Sequence, residues 1–189
     1  MQDYRSDGVA FFLTKVFRLK APFWLLYITL IPFINWSFSV VPSLPMPDGG
    51  FWPPVAIITG LVLVVRDFAQ REVGHFIWVG LVIATGLSFL TSPANIALAS
   101  AAAFVISETV DWALFTFSKR PLSERVMISS LLSAPLDTAA FWYLASLSEK
   151  GVFHPLTLIS AIISKLVGAY IVYLLLKRRE AKLANIDAP

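Results

Sequence analysis

The chain has 189 residues, 57% of them hydrophobic and 14% charged, where a soluble domain carries about 25% charged residues. The charges cluster between long apolar runs, which excludes an ordinary soluble fold and indicates one polytopic membrane unit with no second soluble domain. A net charge of +3 and a sequence pI near 9.3 do not point to nucleic acid, because the basic residues flank apolar segments instead of forming one face; the lack of cysteine excludes disulfides and thiolate chemistry.

Residues 1–20 are charged throughout and read as a cytoplasmic arm, with no removed leader expected. Six stretches then approach the roughly 20 residues that cross a hydrocarbon core: 21–41, 52–68, 75–90, 93–117, 124–147 and 155–176. Pro32 is expected to kink the first. Pro53, Pro54, Pro93, Pro121 and Pro155 stand at helix starts, where a missing N–H costs nothing. Residues 42–50, rich in Pro and Gly, read as a loop, and residues 178–189 as a cytoplasmic tail beyond a membrane domain at 21–177. Trp24, Trp36, Trp52 and Trp78 fall near helix ends and read as interfacial anchors.

The basic residues alternate with these stretches. Thirteen of the 15 Lys and Arg fall on one side, in the N-terminal arm, at Arg66 and Arg71, at Lys119, Arg120 and Arg125, and in the tail. Lys150 alone falls on the other, and Lys165 lies inside the last span. The expected fold is therefore an all-α integral membrane bundle of six transmembrane helices with both termini in the cytoplasm. Period-2 alternation, which a barrel would need, is missing.

Ionisable residues inside such spans are costly and usually face a bundle interior or a wet cavity. The fourth span carries Ser100, Phe104, Ser107, Glu108, Asp111 and Phe115 on one face, with Trp112 nearby. Its run at 97–103 has small residues four apart, suited to close packing. The fifth has Arg125, Ser129, Ser133 and Asp137 at i, i+4 spacing, with Pro135 freeing a carbonyl beside Asp137. The sixth has Lys165, which could serve as an ion-pair partner of Asp137 or as a ligand contact. Arg66 to Glu72 reads on its own as a solvated, charge-rich turn. His75 and His154 are isolated, so no metal site is expected, and no nucleotide-binding or hydrolase motif is present.

Three of these runs together are similar to the VUT family of queuosine-precursor transporters: Val65-Arg66-Asp67-Phe68-Ala69-Gln70-Arg71-Glu72-Val73-Gly74, then Ala99 through Ser107-Glu108-Thr109-Val110-Asp111, then Arg125 through Ser129, Ser130 and Ser133 to Asp137-Thr138. Lys165 to Tyr170 matches the last helix of the family more loosely. The resemblance implies a multi-pass inner-membrane importer of a deazapurine, usually 7-cyano-7-deazaguanine, related in fold to the substrate-binding subunits of energy-coupling-factor vitamin transporters. It also implies a functional set of Asp67, Gln70, Ser100, Glu108, Asp111, Arg125, Ser129, Asp137 and Lys165.

The chemistry suits such a ligand. A guanine-like edge presents an N1–H and an exocyclic amine that one carboxylate can accept together; Glu108, Asp111 and Asp137 are the candidates. Phe104, Trp112, Phe115 or Trp142 could stack on the ring, and serine hydroxyls and Lys165 could meet ring nitrogens or a carbonyl. The expected site lies between the fourth, fifth and sixth spans and opens to the cytoplasm past Asp67, Gln70 and Arg125. Transport rather than catalysis is expected, with the bilayer and a small molecule as partners, no nucleic acid and no cofactor; a homo-oligomer is left open. A substrate-binding subunit working with a separate ATPase and coupling protein is the alternative, and an intramembrane enzyme using the carboxylates a further one.

Overall fold

A computed structural model describes residues 8–17, 20–148 and 153–186. Among them the chain forms α1 (Gly8–Phe17), α2 (Pro22–Val40), a two-residue hairpin of β1 (Leu44–Pro45) and β2 (Phe51–Trp52), α3 (Val55–Val73), α4 (Ile77–Thr91), α5 (Ala94–Phe117), α6 (Leu122–Ser148) and α7 (Pro155–Ile186). Four helical stretches are long and apolar enough to cross a membrane: Pro22–Val40, Val55–Thr91, Ala94–Phe117 and Pro155–Leu183. Val55–Thr91 is folded into α3 and α4 by a turn at Gly74, whose φ of 58° is in the region that disfavours a side chain. The remaining long helix, α6, is diluted by its own polar stripe.

The helices run alternately up and down. At one end Trp24 N–H donates to Glu72, Gln70 donates to Thr116, and Ser123 N–H and hydroxyl both donate to Glu180. At the other end Thr91 reaches the Pro32 carbonyl, and the hairpin meets the start of α7, where Phe51 N–H donates to Thr157. Asp48 fixes that hairpin by accepting from the N–H groups of Gly50 and Leu156. Partial desolvation pushes its carboxyl up, but these two donors, aided by His154, hold it below the usual carboxylate range.

Four boundaries differ from the sequence expectation. Residues 8–17 of the arm are helical and place Phe12 in the core against Trp24 and Phe76. α3 continues five residues past the expected end at 68, through what reads as a charged turn. Residues 44–45 of the expected loop pair as strands with residues 51–52, which include the expected start of the second span. α7 runs on through the basic tail to Ile186, because Lys, Arg, Glu and Ala are good helix formers. The anchor reading fails for Trp24, which is buried against Phe12 and beside Gly80. Trp36 is exposed, and the Trp52 indole donates to Ser164.

Large apolar side chains cover the outside, among them Val82, Leu90, Leu98 and Leu147. Inside, helix approach depends on small residues, as expected where lipid gives no hydrophobic drive between helices. Ala97, Ala99 and Ala103 are buried on α5, which forms with α6 the most extensive helix pair. α3 and α7 meet at Gly60, where an added Cβ would stand 2.6 Å from the Lys165 carbonyl oxygen and 2.7 Å from its Cα. At Gly168 the nearest atoms would be 3.9 Å away. Gly60→Ala is therefore expected to destabilise the protein by about 1–3 kcal/mol, and Gly168→Ala to be nearly neutral. Unfolding of the purified variants in micelles checks this; equal midpoints would mean that α3 and α7 are not in such close register.

Candidate functional site

Among the described residues, four carboxylates and two cations are buried in the bundle, in two layers. The outer layer lies toward the end that holds the α3–α4 and α5–α6 turns and is centred on Arg66, whose side chain has no exposure. Its Nε donates to Glu108 Oε2 at 2.8 Å, Nη1 to Asp67 Oδ1 at 3.0 Å, and Nη2 to the Glu108 main-chain carbonyl at 3.3 Å. The other oxygen of each acid is also occupied: Tyr27 Oη donates to Glu108 Oε1 at 2.9 Å, and Ser129 Oγ to Asp67 Oδ2 at 2.9 Å. One guanidinium thus ties α2, α3, α5 and α6 together. Asp111, one turn beyond Glu108, is buried with no hydrogen-bond partner at either oxygen.

Glu108 and Ser100 are eight residues apart on α5, so the second layer lies about 12 Å deeper. There Lys165 Nζ donates to Asp137 Oδ2 and, at 2.9 Å, to Thr138 Oγ1. Ser100 Oγ donates to Asn35 Oδ1 at 2.9 Å. Asn35, Ser100, Asp137 and Lys165 share a partly enclosed cavity of about 20 Å³ with Thr59, Phe104 and Trp142. Phe38, Phe141 and Trp142 pack edge-on or tilted against one another where it approaches the hairpin, and Phe51 caps Trp142 at 5.2 Å.

The sequence-derived candidates are thereby divided. Ser100, Phe104, Asp137 and Lys165 meet at the cavity, joined by Trp142. Glu108, Asp111, Asp67, Ser129 and Ser133 belong to the Arg66 layer, with the Ser133 hydroxyl given to the Ser129 carbonyl. Glu108 has both oxygens engaged, so it is not poised to accept a ligand edge. Trp112 turns away from the acids, its indole donating to His75 Nδ1 at 2.9 Å. Arg125 lies over the Phe115 ring, 4.6 Å from its centroid. Gln70 and Asp67 are buried, not at an open mouth.

The largest departure is Arg66, a surface charge on the sequence reading and one of the most buried side chains in the fold. The signal was available, since Thr59, Leu63, Arg66, Gln70 and Val73 continue a 3-and-4 spacing with no break at residue 68, and all five are buried. Tyr27 and Asn35 also escaped notice, although Trp24, Tyr27, Ile31 and Asn35 recur on one buried face of α2. Hydropathy does not single out a Tyr or an Asn; only the partners on α5 do.

Because a guanidinium stays charged, Arg66→Met leaves Glu108 and Asp67 unpaired and is expected to cost about 3–5 kcal/mol. Glu108→Gln, whose amide oxygen still accepts from Arg66 while its NH2 can donate to the Tyr27 hydroxyl, should cost less. Denaturation in micelles measures both, and an Arg66→Met loss below about 1 kcal/mol, the scale of an exposed pair, would show that the layer does not hold the bundle together.

Residues 55–178 match the model of the family described as "Putative vitamin uptake transporter". No curated protein and no solved structure matches the chain. The matched segment covers about two thirds of the sequence and contains the Arg66 layer apart from Tyr27 and the cavity apart from the α2 and hairpin residues. With its long apolar helices, an apolar exterior and ionisable groups buried between the helices, this multi-pass membrane protein belongs to the vitamin uptake transporter family.

Proposed function

We propose that the protein imports a planar nitrogen heterocycle across the inner membrane, with 7-cyano-7-deazaguanine or a close deazapurine as substrate, and that the cavity of the second layer binds it. The carrying observation is the convergence of Asn35, Ser100, Asp137 and Lys165 with the Phe104 and Trp142 rings around one small cavity. Mostly apolar walls with a few convergent polar groups are the usual form of a small-molecule site. Asp137 supplies an acceptor for the N1–H and amine of a guanine-like edge. Lys165 and the Asn35 amide supply donors for its carbonyl, and the aromatic rings supply stacking faces. α2 and α3 contribute to this site as well as α5, α6 and α7.

The cavity is far smaller than the roughly 300–1,000 Å³ of ligand pockets, so loading requires its walls to part. The aromatic contacts among Phe51, Phe141 and Trp142 are the seam that can open without breaking an ion pair. Transport, not catalysis, is the reading, since Asp67, Glu108 and Asp137 are each paired with a buried cation. Six passes with both termini cytoplasmic accord with the alternation of basic residues. Arg66 no longer counts in that bias, while Lys119, Arg120, Lys177, Arg178, Arg179 and Lys182 remain exposed.

Two experiments test this. Labelled 7-cyano-7-deazaguanine should enter cells that lack their own importer when this protein is expressed; Asp137→Asn and Trp142→Ala should each lower uptake roughly 10- to 100-fold, the worth of a charge-assisted hydrogen bond or a stacked ring. Uptake no higher than with an empty vector would remove the substrate. Transport that appears only with an added ATPase would favour the binding-subunit alternative. For topology, the natural absence of cysteine allows single-cysteine labelling. Ser43→Cys should react with an impermeant maleimide on intact cells and Lys119→Cys only after permeabilisation, whereas the reverse pattern would invert the orientation.

A further inference from the structure

The Arg66 layer holds one carboxylate more than its donors serve. Asp67 and Glu108 each accept at both oxygens, from Arg66 together with Ser129 or Tyr27. Asp111 is only 1% exposed and accepts nothing at either oxygen. The groups that face it are Tyr27 from α2, Arg66 and Asp67 from α3 and Glu108 from its own helix. From α6 it faces Ser133, whose hydroxyl donates to the Ser129 carbonyl at 2.8 Å and can turn its single proton to Asp111 only by giving up that bond. Lys165 cannot help, because it serves Asp137 and Thr138 in the deeper layer. With all three acids ionised, the layer would carry two uncompensated negative charges where even one is costly.

We infer that Asp111 is the site that binds and releases the coupling proton of transport. The inference rests on the transport reading above and supplies its energy source. The step makes and breaks only one O–H bond: a proton taken from one side of the membrane neutralises the Asp111 carboxylate, and its release to the other side restores the charge. The substrate crosses unchanged. A proton on Glu108 or Asp137 would break an existing ion pair, whereas a proton on Asp111 breaks nothing. Asp111 lies one turn from Glu108, so its change of charge acts directly on the guanidinium that ties four helices together. That places the proton where it can alter their packing and hence access to the cavity.

Infrared difference spectra of the purified protein near neutral pH test the proton site without any substrate. The wild type should show the C=O stretch of a protonated carboxylic acid, absent in Asp111→Asn and shifted but present in Asp111→Glu. A band unchanged in both variants, or no such band in the wild type, overturns the inference. In proteoliposomes, wild-type protein should accumulate labelled 7-cyano-7-deazaguanine by up to about tenfold per unit of inward proton gradient at one proton per substrate. Asp111→Asn should lose that accumulation and still exchange labelled for unlabelled substrate. Gradient-driven accumulation by Asp111→Asn, loss of exchange along with accumulation, or a sodium gradient that drives uptake where a proton gradient does not, overturns the coupling role. Wild-type vesicles that move no deazapurine refute the substrate reading instead, and the infrared band then decides on Asp111.

Discussion

A guanidinium with no solvent exposure governs this fold. Arg66 cannot shed its charge, so the chain must bring it anions and keep them there. It does so with Asp67 on the same helix and Glu108 on α5, and each acid recruits a further donor from another helix, Tyr27 or Ser129. Van der Waals packing in lipid is permissive about sliding and rotation. A set of hydrogen bonds donated by one fork-shaped cation is not. The register of α2, α3, α5 and α6 follows from it.

The deeper layer inherits that register. With α3 fixed at Arg66, Gly60 comes against the Lys165 backbone and Thr59 faces the cavity. With α5 fixed at Glu108, Phe104 and Ser100 reach the same space about one and two turns away. α7 contributes a single cation, and it is held by Asp137 and Thr138 on α6. The two layers differ in what they can tolerate. The Arg66 layer is closed by hydrogen bonds on every side except at Asp111, while the Lys165 layer borders a small cavity with an aromatic seam. Charge pairing above, adjustable at Asp111 alone, and a deformable apolar wall below suit a bundle in which one pocket opens.

Particular residues show how far the sequence could be read. The buried faces of α5 and α6 were legible because a lone acid in an apolar run stands out and helical spacing aligns it with serines one or two turns away. Arg66, Asp67 and Gln70 were misread because their neighbours Arg71 and Glu72 are charged too, and a dense charge run looks the same whether it is a wet turn or the last turns of a helix with one dry face. Trp112 was misread for a different reason. Its place beside Asp111 in the sequence says nothing of direction, and i, i+1 neighbours on a helix point apart.

What the amino-acid sequence by itself determined is the membrane class, the long apolar helices and the two polar stripes, because each is a local property of hydropathy and a 3.6-residue period. What only the tertiary structure decided is which charge meets which. Pairing across a bundle depends on the rotation and depth of several helices at once, and those are set jointly by close approach at residues such as Gly60 and by one buried arginine. The same joint constraint leaves Asp111 without a partner, a fact that no spacing along α5 could have shown.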